Sequence, residues 1–135
     1  MQPIPWKEQF SVGVKEIDLQ HRGLLDIINR VVASSEKKDD WQSTSAIIDS
    51  LITYAYNHFA TEERLMSAAG YPELSWHTGL HLEFIRKIFS MSQEVQQKGP
   101  AIQKEILSFL VNWYTHHVLE VDRKYMASLA AKGIK

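Results

Sequence analysis

Apolar residues recur along this chain at the three- and four-residue spacing of amphipathic helices, in four long stretches separated by short polar breaks. The first stretch runs from about Asp18 to Lys37, with Leu24, Leu25, Ile28, Val31 and Val32 on one stripe. The second runs from Trp41 to about Ala68 and carries Ile47, Ile48, Leu51, Ile52, Ala55, Phe59, Leu65 and Met66. The third, from about Leu74 to Gln97, has Leu80, Phe84, Ile85, Ile88 and Phe89; the fourth, from Ala101 to about Leu119, has Ile102, Ile106, Phe109, Leu110 and Trp113. The breaks carry turn chemistry. The run SSEKKDD reads as a loop with Asp39 or Asp40 as the next helix cap, Gly70 and Pro72 end the second helix, and Gly99-Pro100 stops the third and opens the fourth. Pro3 and Pro5 make the first ten or so residues an arm, and a short helical tail is expected from Arg123 to Ala131. The run ILSFLVNWYTHHVLEV is rich in β-formers, yet its length and spacing favour helix. The expected fold is all-α: an up-down-up-down four-helix bundle with an N-terminal arm and a short C-terminal helix, one domain over residues 1–135.

The polar residues on these stripes change the picture. His58 and Glu62 are four apart on the second helix, in line with Leu51, Ala55 and Leu65. His77 and His81 are four apart on the third, in line with Phe84 and Ile88. His117 continues the stripe of Ile106, Leu110 and Trp113, and His21 precedes that of Leu24 and Ile28. Every long helix therefore directs histidine toward the core. A lone inward histidine is usually a satisfied core residue. Five imidazoles with the carboxylates of Glu62 and Asp122 are another matter, because burying charged groups without partners costs several kcal/mol each. A bound metal removes that cost.

Composition narrows the chemistry. With no cysteine there is no disulfide, thiolate ligand or iron–sulfur cluster. A formal charge of -1 argues against nucleic acid as a partner, and no stretch approaches a membrane span. The start MQPIPWKEQF lacks the charged lead and apolar run of a secretion signal, so a cytoplasmic location is expected. Zinc takes four ligands and would leave the others idle, while calcium and magnesium prefer oxygen throughout. Mixed imidazole and carboxylate donors in a bundle core suit iron or manganese, as two ions rather than one. If Glu62 and Asp122 each bridge, they and the five histidines, with one bridging oxide or hydroxide, fill eleven of the twelve positions of two octahedra. One position stays open for a small ligand.

The pattern D18-x-x-H21, H58-F-x-x-E62, H77-x-x-x-H81 and H117-x-x-x-x-D122, with Trp113 four residues before His117, resembles the hemerythrin family over nearly the whole chain. The resemblance implies two iron ions (Fe2+/Fe3+) with an oxo or hydroxo bridge. It implies that His77, His81 and His117 hold one iron, that His21 and His58 hold the other, and that Glu62 and Asp122 bridge. It further implies reversible dioxygen binding, as carrier or store, at the iron held by two histidines. No catalytic residue is assigned. An oxygen-accepting protein is a candidate partner, and a monomer is expected.

Three points need the structure. His117 and Asp122 are five apart and diverge by about 140° on a regular helix, so a π-type bulge or break is expected at about Leu119 to Val121. His116 is expected to be exposed or to support the site from outside, as are Asp18, Glu63 and Glu120. The oxygen pocket is expected to be walled by Leu24, Phe59, Trp113, Tyr114 and Val118; Tyr114 stands where the resemblance calls for an aliphatic residue. The competing functions are a di-iron oxidase, which the lack of any E-x-x-H pair disfavours, and an oxygen- or iron-sensing module, which would usually carry an output domain.

Overall fold

The computed structural model describes residues 1–37, 41–99 and 101–135, and the regular structure among them is helical. The long helices are α1 (Lys15–Lys37), α2 (Trp41–Ala68), α3 (Leu74–Lys98) and α4 (Ala101–Trp113), with a short α5 (Met126–Ala131). Consecutive long helices pack together and α1 also packs on α4, which closes the four into a bundle. The caps expected at Asp39 or Asp40, and Pro100 as a helix opener, lie outside the described residues.

α2 ends in the manner its sequence requires. Gly70 takes a φ of 65°, a left-handed conformation that glycine adopts without strain. The turn is closed by hydrogen bonds from Gly70 N–H to the Ser67 carbonyl and from Tyr71 N–H to the Met66 carbonyl. α1 starts at Lys15, about one turn before the expected Asp18, whose N–H bonds to the Val14 carbonyl at 2.9 Å. The buried stripe of α3 also differs from expectation. It runs through His77, His81, Phe84, Ile88, Met91 and Val95, a strict four-three alternation. Leu80 and Ile85 are half-buried and Phe89 is exposed, because they stand at the rim of that stripe.

Two apolar clusters fill the interior. The larger takes Leu24 and Ile28 of α1, Ile48 and Leu51 of α2, Phe84 and Ile88 of α3, and Ile106 and Leu110 of α4. The smaller gathers Ile17, Leu65, Met66, Tyr71, Tyr125 and Leu129 near the other end. At its far end the bundle also buries Gln103, which donates to Thr44 Oγ at 2.8 Å.

The segment between α4 and α5 is π-helical from Tyr114 to Val121 and then tightens into a 3-10 turn from Asp122 to Tyr125. The distortion expected at Leu119–Val121 is present, and it begins more than a turn earlier. The arm is strapped down rather than free. Ile4 exchanges two hydrogen bonds with the Asn29 side chain at 2.8 and 2.9 Å. Asp18 accepts from Ser11 Oγ at 2.5 Å and from Val12 N–H at 2.9 Å, and Arg123 donates to the Gln9 carbonyl at 2.9 Å. Phe10 is thereby held in the core. Asp18→Ala should cost the metal-free chain about 2 kcal/mol, as loss of hydrogen bonds to a carboxylate does. Chemical denaturation reads this directly, and an unshifted midpoint would contradict the strap.

Candidate metal centre

Between the two clusters lies a layer in which His21, His58, Glu62, His77, His81, His117 and Asp122 are all buried. Each side chain sits there because its helix carries it on the stripe that packs inward. Their ligating atoms fall into two overlapping groups. Glu62, His77, His81, His117 and Asp122 form one; His21, His58, Glu62 and Asp122 form the other. Within each group the atoms lie within 4.8 Å of one another. That is close to the spread of donors around one ion, given metal–ligand bonds of about 2.0–2.2 Å. The two carboxylates belong to both groups.

Asp122 shows how the sharing works. Its Oδ1 lies 3.0 Å from His77 Nε2 and 3.1 Å from His117 Nε2, whereas Oδ2 lies 3.1 Å from His21 Nε2. One oxygen faces each group. Glu62 Oε1 lies 3.2 Å from both His58 Nε2 and His81 Nε2, again one imidazole from each group. The π-helical turn makes this possible. Asp122 N–H bonds to the carbonyl of His117, five residues back, so the two side chains share a face that a regular helix would deny them.

The residues fit a metal on the chemistry of their unpaired atoms. The Nε2 atoms of His21, His77, His81 and His117, both oxygens of Asp122 and Oε1 of Glu62 are buried with no hydrogen-bond partner. Each such orphan costs about 1–3 kcal/mol unless something accepts its lone pair or proton. Cations placed among them would satisfy all of these atoms at once.

The outer nitrogens are partly tied down. His58 Nδ1 lies 2.6 Å from Gln20 Oε1, and the Gln20 amide donates to Thr61 Oγ at 3.0 Å. His81 Nδ1 lies 2.8 Å from Glu63 Oε2, and Tyr125 donates its hydroxyl to Glu62 Oε2 at 2.5 Å. Such contacts fix ring orientation and raise ligand basicity. The aromatic neighbours pack face to face: Phe59 on His81 at 3.9 Å, Trp113 on His117 at 3.9 Å, and Tyr54 on His58 at 5.2 Å.

All seven expected ligating residues thus come together. His116 is exposed, 4.0 Å from the exposed Glu120. Glu63 supports the site from outside, while Asp18 serves the arm. Of the expected pocket residues, Leu24, Phe59, Tyr114 and Val118 are buried and Trp113 is half-buried. Phe59 and Trp113 stack on the side of the layer that holds three histidines. Sequence reasoning missed Gln20, Tyr54 and Tyr125. Helical spacing carried a signal for two of them: Tyr54 is one turn before His58, and Tyr125 is three residues after Asp122.

A helix bundle whose core layer holds two carboxylate-linked groups of ligating side chains falls in the class of cation-binding four-helix proteins. The comparisons make this particular. The sequence profile of the hemerythrin HHE cation binding domain matches residues 12–129. The bacteriohemerythrin of Clostridium acetobutylicum is 34% identical over 125 residues, covering 90% of this chain and 97% of that protein. The bacteriohemerythrin of Stenotrophomonas maltophilia is 29% identical over 126 residues, 93% of this chain and 81% of that one. The crystal structure of wild-type hemerythrin superposes with a TM-score of 0.78 at 22% identity, over 96% of this chain and 99% of that chain, which bears on fold alone. This chain belongs to the hemerythrin family.

The electrostatics of the metal-free layer yield a testable profile. Burial pushes the Glu62 carboxyl up, but His58, His81 and His21 around it outweigh burial and hold it well below the ordinary range. Asp122 is likewise held low: burial and Glu62 push it up, and His117 and His21 prevail. Burial works against charge on His21 and His81, yet Asp122 raises the first and Glu62 the second. Burial wins at His58, whose pKa is lowered. The carboxylates therefore contribute stability above their unfolded range near pH ~4 that is lost as pH falls. His21 and His81 contribute below about pH 6.5, and this is lost as pH rises through their raised values; His58 works the opposite way. Melting of the chelator-stripped chain should decline on both the acid and the alkaline side. Metal loading should remove the alkaline decline, and a metal-free profile flat from pH 6 to 9 would contradict the assignment.

Proposed function

We propose that this chain binds dioxygen reversibly at a non-haem di-iron centre, as a carrier or store. In this reading His77, His81 and His117 would hold one iron, His21 and His58 would hold the other, and Glu62 and Asp122 would be shared between them. The observation that carries it is the sharing of both carboxylates between two groups that differ by one imidazole. Three imidazoles face one position and two face the other, so the His21–His58 side has room for a small ligand. The irons, when bound, supply the electrons that let dioxygen attach and leave.

The chain's own residues do the rest. The imidazoles are neutral donors that keep the ions without building up the negative charge of an oxygen-rich site. Glu62 and Asp122, each shared by both groups, would hold the two ions next to one another. Gln20 and Glu63 hold His58 and His81 in one orientation. Leu24 and Val118, both buried, keep water from the layer, and Phe59 and Trp113 close the three-histidine side with their stacked rings. Exclusion of water limits proton delivery, which would otherwise turn binding into irreversible oxidation.

We read the chain as a binding protein and not an enzyme, because five imidazoles with two carboxylates leave little room for a substrate beside the small ligand. No helix among the described residues is long and apolar enough to cross a membrane. A monomer in the cytoplasm, passing oxygen to an acceptor protein, completes the reading.

The iron-loaded chain, reduced under argon and then exposed to air, should develop a ligand-to-iron absorption band in the visible range. The band should fade under vacuum and return with air over repeated cycles. A band that never fades, or none at all in a chain holding two irons, would overturn the carrier reading.

A further inference from the structure

Two phenols stand next to the candidate ligating layer, within electrostatic reach of one another, and one of them stacks on an imidazole of the half that has only two histidines. Tyr54 lies one turn before His58 on α2, and its ring stacks on that imidazole at 5.2 Å with 18° between planes. Tyr114 opens the π-helical segment, three residues before His117, and meets the edge of Phe10 at 5.9 Å. In an up-down bundle α2 and α4 run the same way, so both tyrosines fall in the layer just beyond the ligating residues, the layer to which α1 contributes Leu24. Both hydroxyls are buried, and neither has a hydrogen-bond partner. The Tyr54 phenol is raised by burial and then by the charges of Glu62 and Asp122 and by Tyr114 itself; Tyr114 is raised by burial, Asp18 and Asp122. An ordinary phenol, with a pKa of about 10, is protonated near neutral pH, so both hydroxyls can donate.

A buried hydroxyl without an acceptor is costly. The cost here falls twice in one layer, where an apolar side chain would have served packing alone. The acceptor that would satisfy them is small, because the layer is closed by core side chains. It is one that gains from O–H donors, and so an anion or a partly charged oxygen or nitrogen atom rather than a neutral apolar gas.

We propose that Tyr54 and Tyr114 form a two-donor clamp for a small anionic ligand of two or three atoms at the His21–His58 half of the centre. The assignment rests on the di-iron reading and deepens it. The pocket selects by charge through two hydroxyl groups, where the family resemblance led to an apolar wall. In the diferric chain each phenol donates to the bound anion and keeps its own proton.

The test uses azide as the probe, titrated by absorbance into the oxidised, iron-loaded full chain, with iron per chain measured for every sample. Tyr54→Phe and Tyr114→Phe should each weaken azide binding by about tenfold, the order expected for one hydrogen bond to a charged acceptor. The double variant should bind more weakly than either single variant. Melting of the metal-free variants gives an independent readout. Removing an unpaired hydroxyl should leave the melting temperature unchanged or raise it, whereas a packing role would lower it. Equal azide affinity in the wild type and the double variant, both holding two irons, would overturn the clamp and leave the di-iron reading standing. A melting temperature lowered in both metal-free single variants would also overturn it. A wild-type chain that takes up no iron would overturn the di-iron reading, and the clamp with it.

Discussion

Two carboxylates and five imidazoles occupy one core layer that water does not reach, and the arrangement of the bundle follows from the need to satisfy them. Charged or lone-pair groups buried without partners would cost more than a domain of this size can spare. The structure meets that demand by convergence. α1, α2, α3 and the irregular segment that follows α4 each supply at least one candidate ligating side chain at the same level, and the two carboxylates stand where both groups of imidazoles can use them. Apolar clusters lie on either side of this layer. They give the bundle its packing energy and also keep the layer dry, so that a bound metal is the natural partner for the unpaired atoms.

The convergence has a local cost, met at one place in the backbone. Asp122 reaches the layer only because the chain changes helical type between Trp113 and Met126. A π-helical turn replaces the usual hydrogen bonds, and Asp122 N–H pairs with the His117 carbonyl. The 3-10 turn that follows lets Tyr125 return beneath the site and donate to Glu62. The irregular segment is held from outside by Arg123 on the arm, and the arm in turn is held by Asp18. A residue that reads as a surface acid on a helix wheel thus helps to keep the irregular segment in place, at some distance from any metal.

Much of this was legible in the sequence. The four helices, their ends at glycine and proline, and the inward histidines follow from periodicity and from residue types whose conformational preferences are strong. The five-residue gap between His117 and Asp122 even announced the distortion, because no regular helix could bring both inward. Its extent was not legible, since the change of hydrogen-bond register spreads over neighbours whose side chains look ordinary. The stripe of α3 was also misjudged: Phe89 is as apolar as Phe84, and only the packing of α2 and α4 decides which of them is covered. The hydrogen bonds of Gln20 and Glu63 depend on how adjacent helices are rotated, which no single helix encodes. Tyr114 stood out in the sequence only as a phenol where an aliphatic pocket residue was expected, Tyr54 was missed, and their unpaired hydroxyls are visible only once the layer is assembled.

The account stands on two metal positions sharing two carboxylates. A crystal structure of the iron-loaded chain, with anomalous scattering recorded at the iron edge, tests that directly. Two iron peaks should appear between Glu62 and Asp122, one bonded to His77, His81 and His117 and the other to His21 and His58. A single peak, or peaks that leave either carboxylate bound to one iron alone, would contradict it.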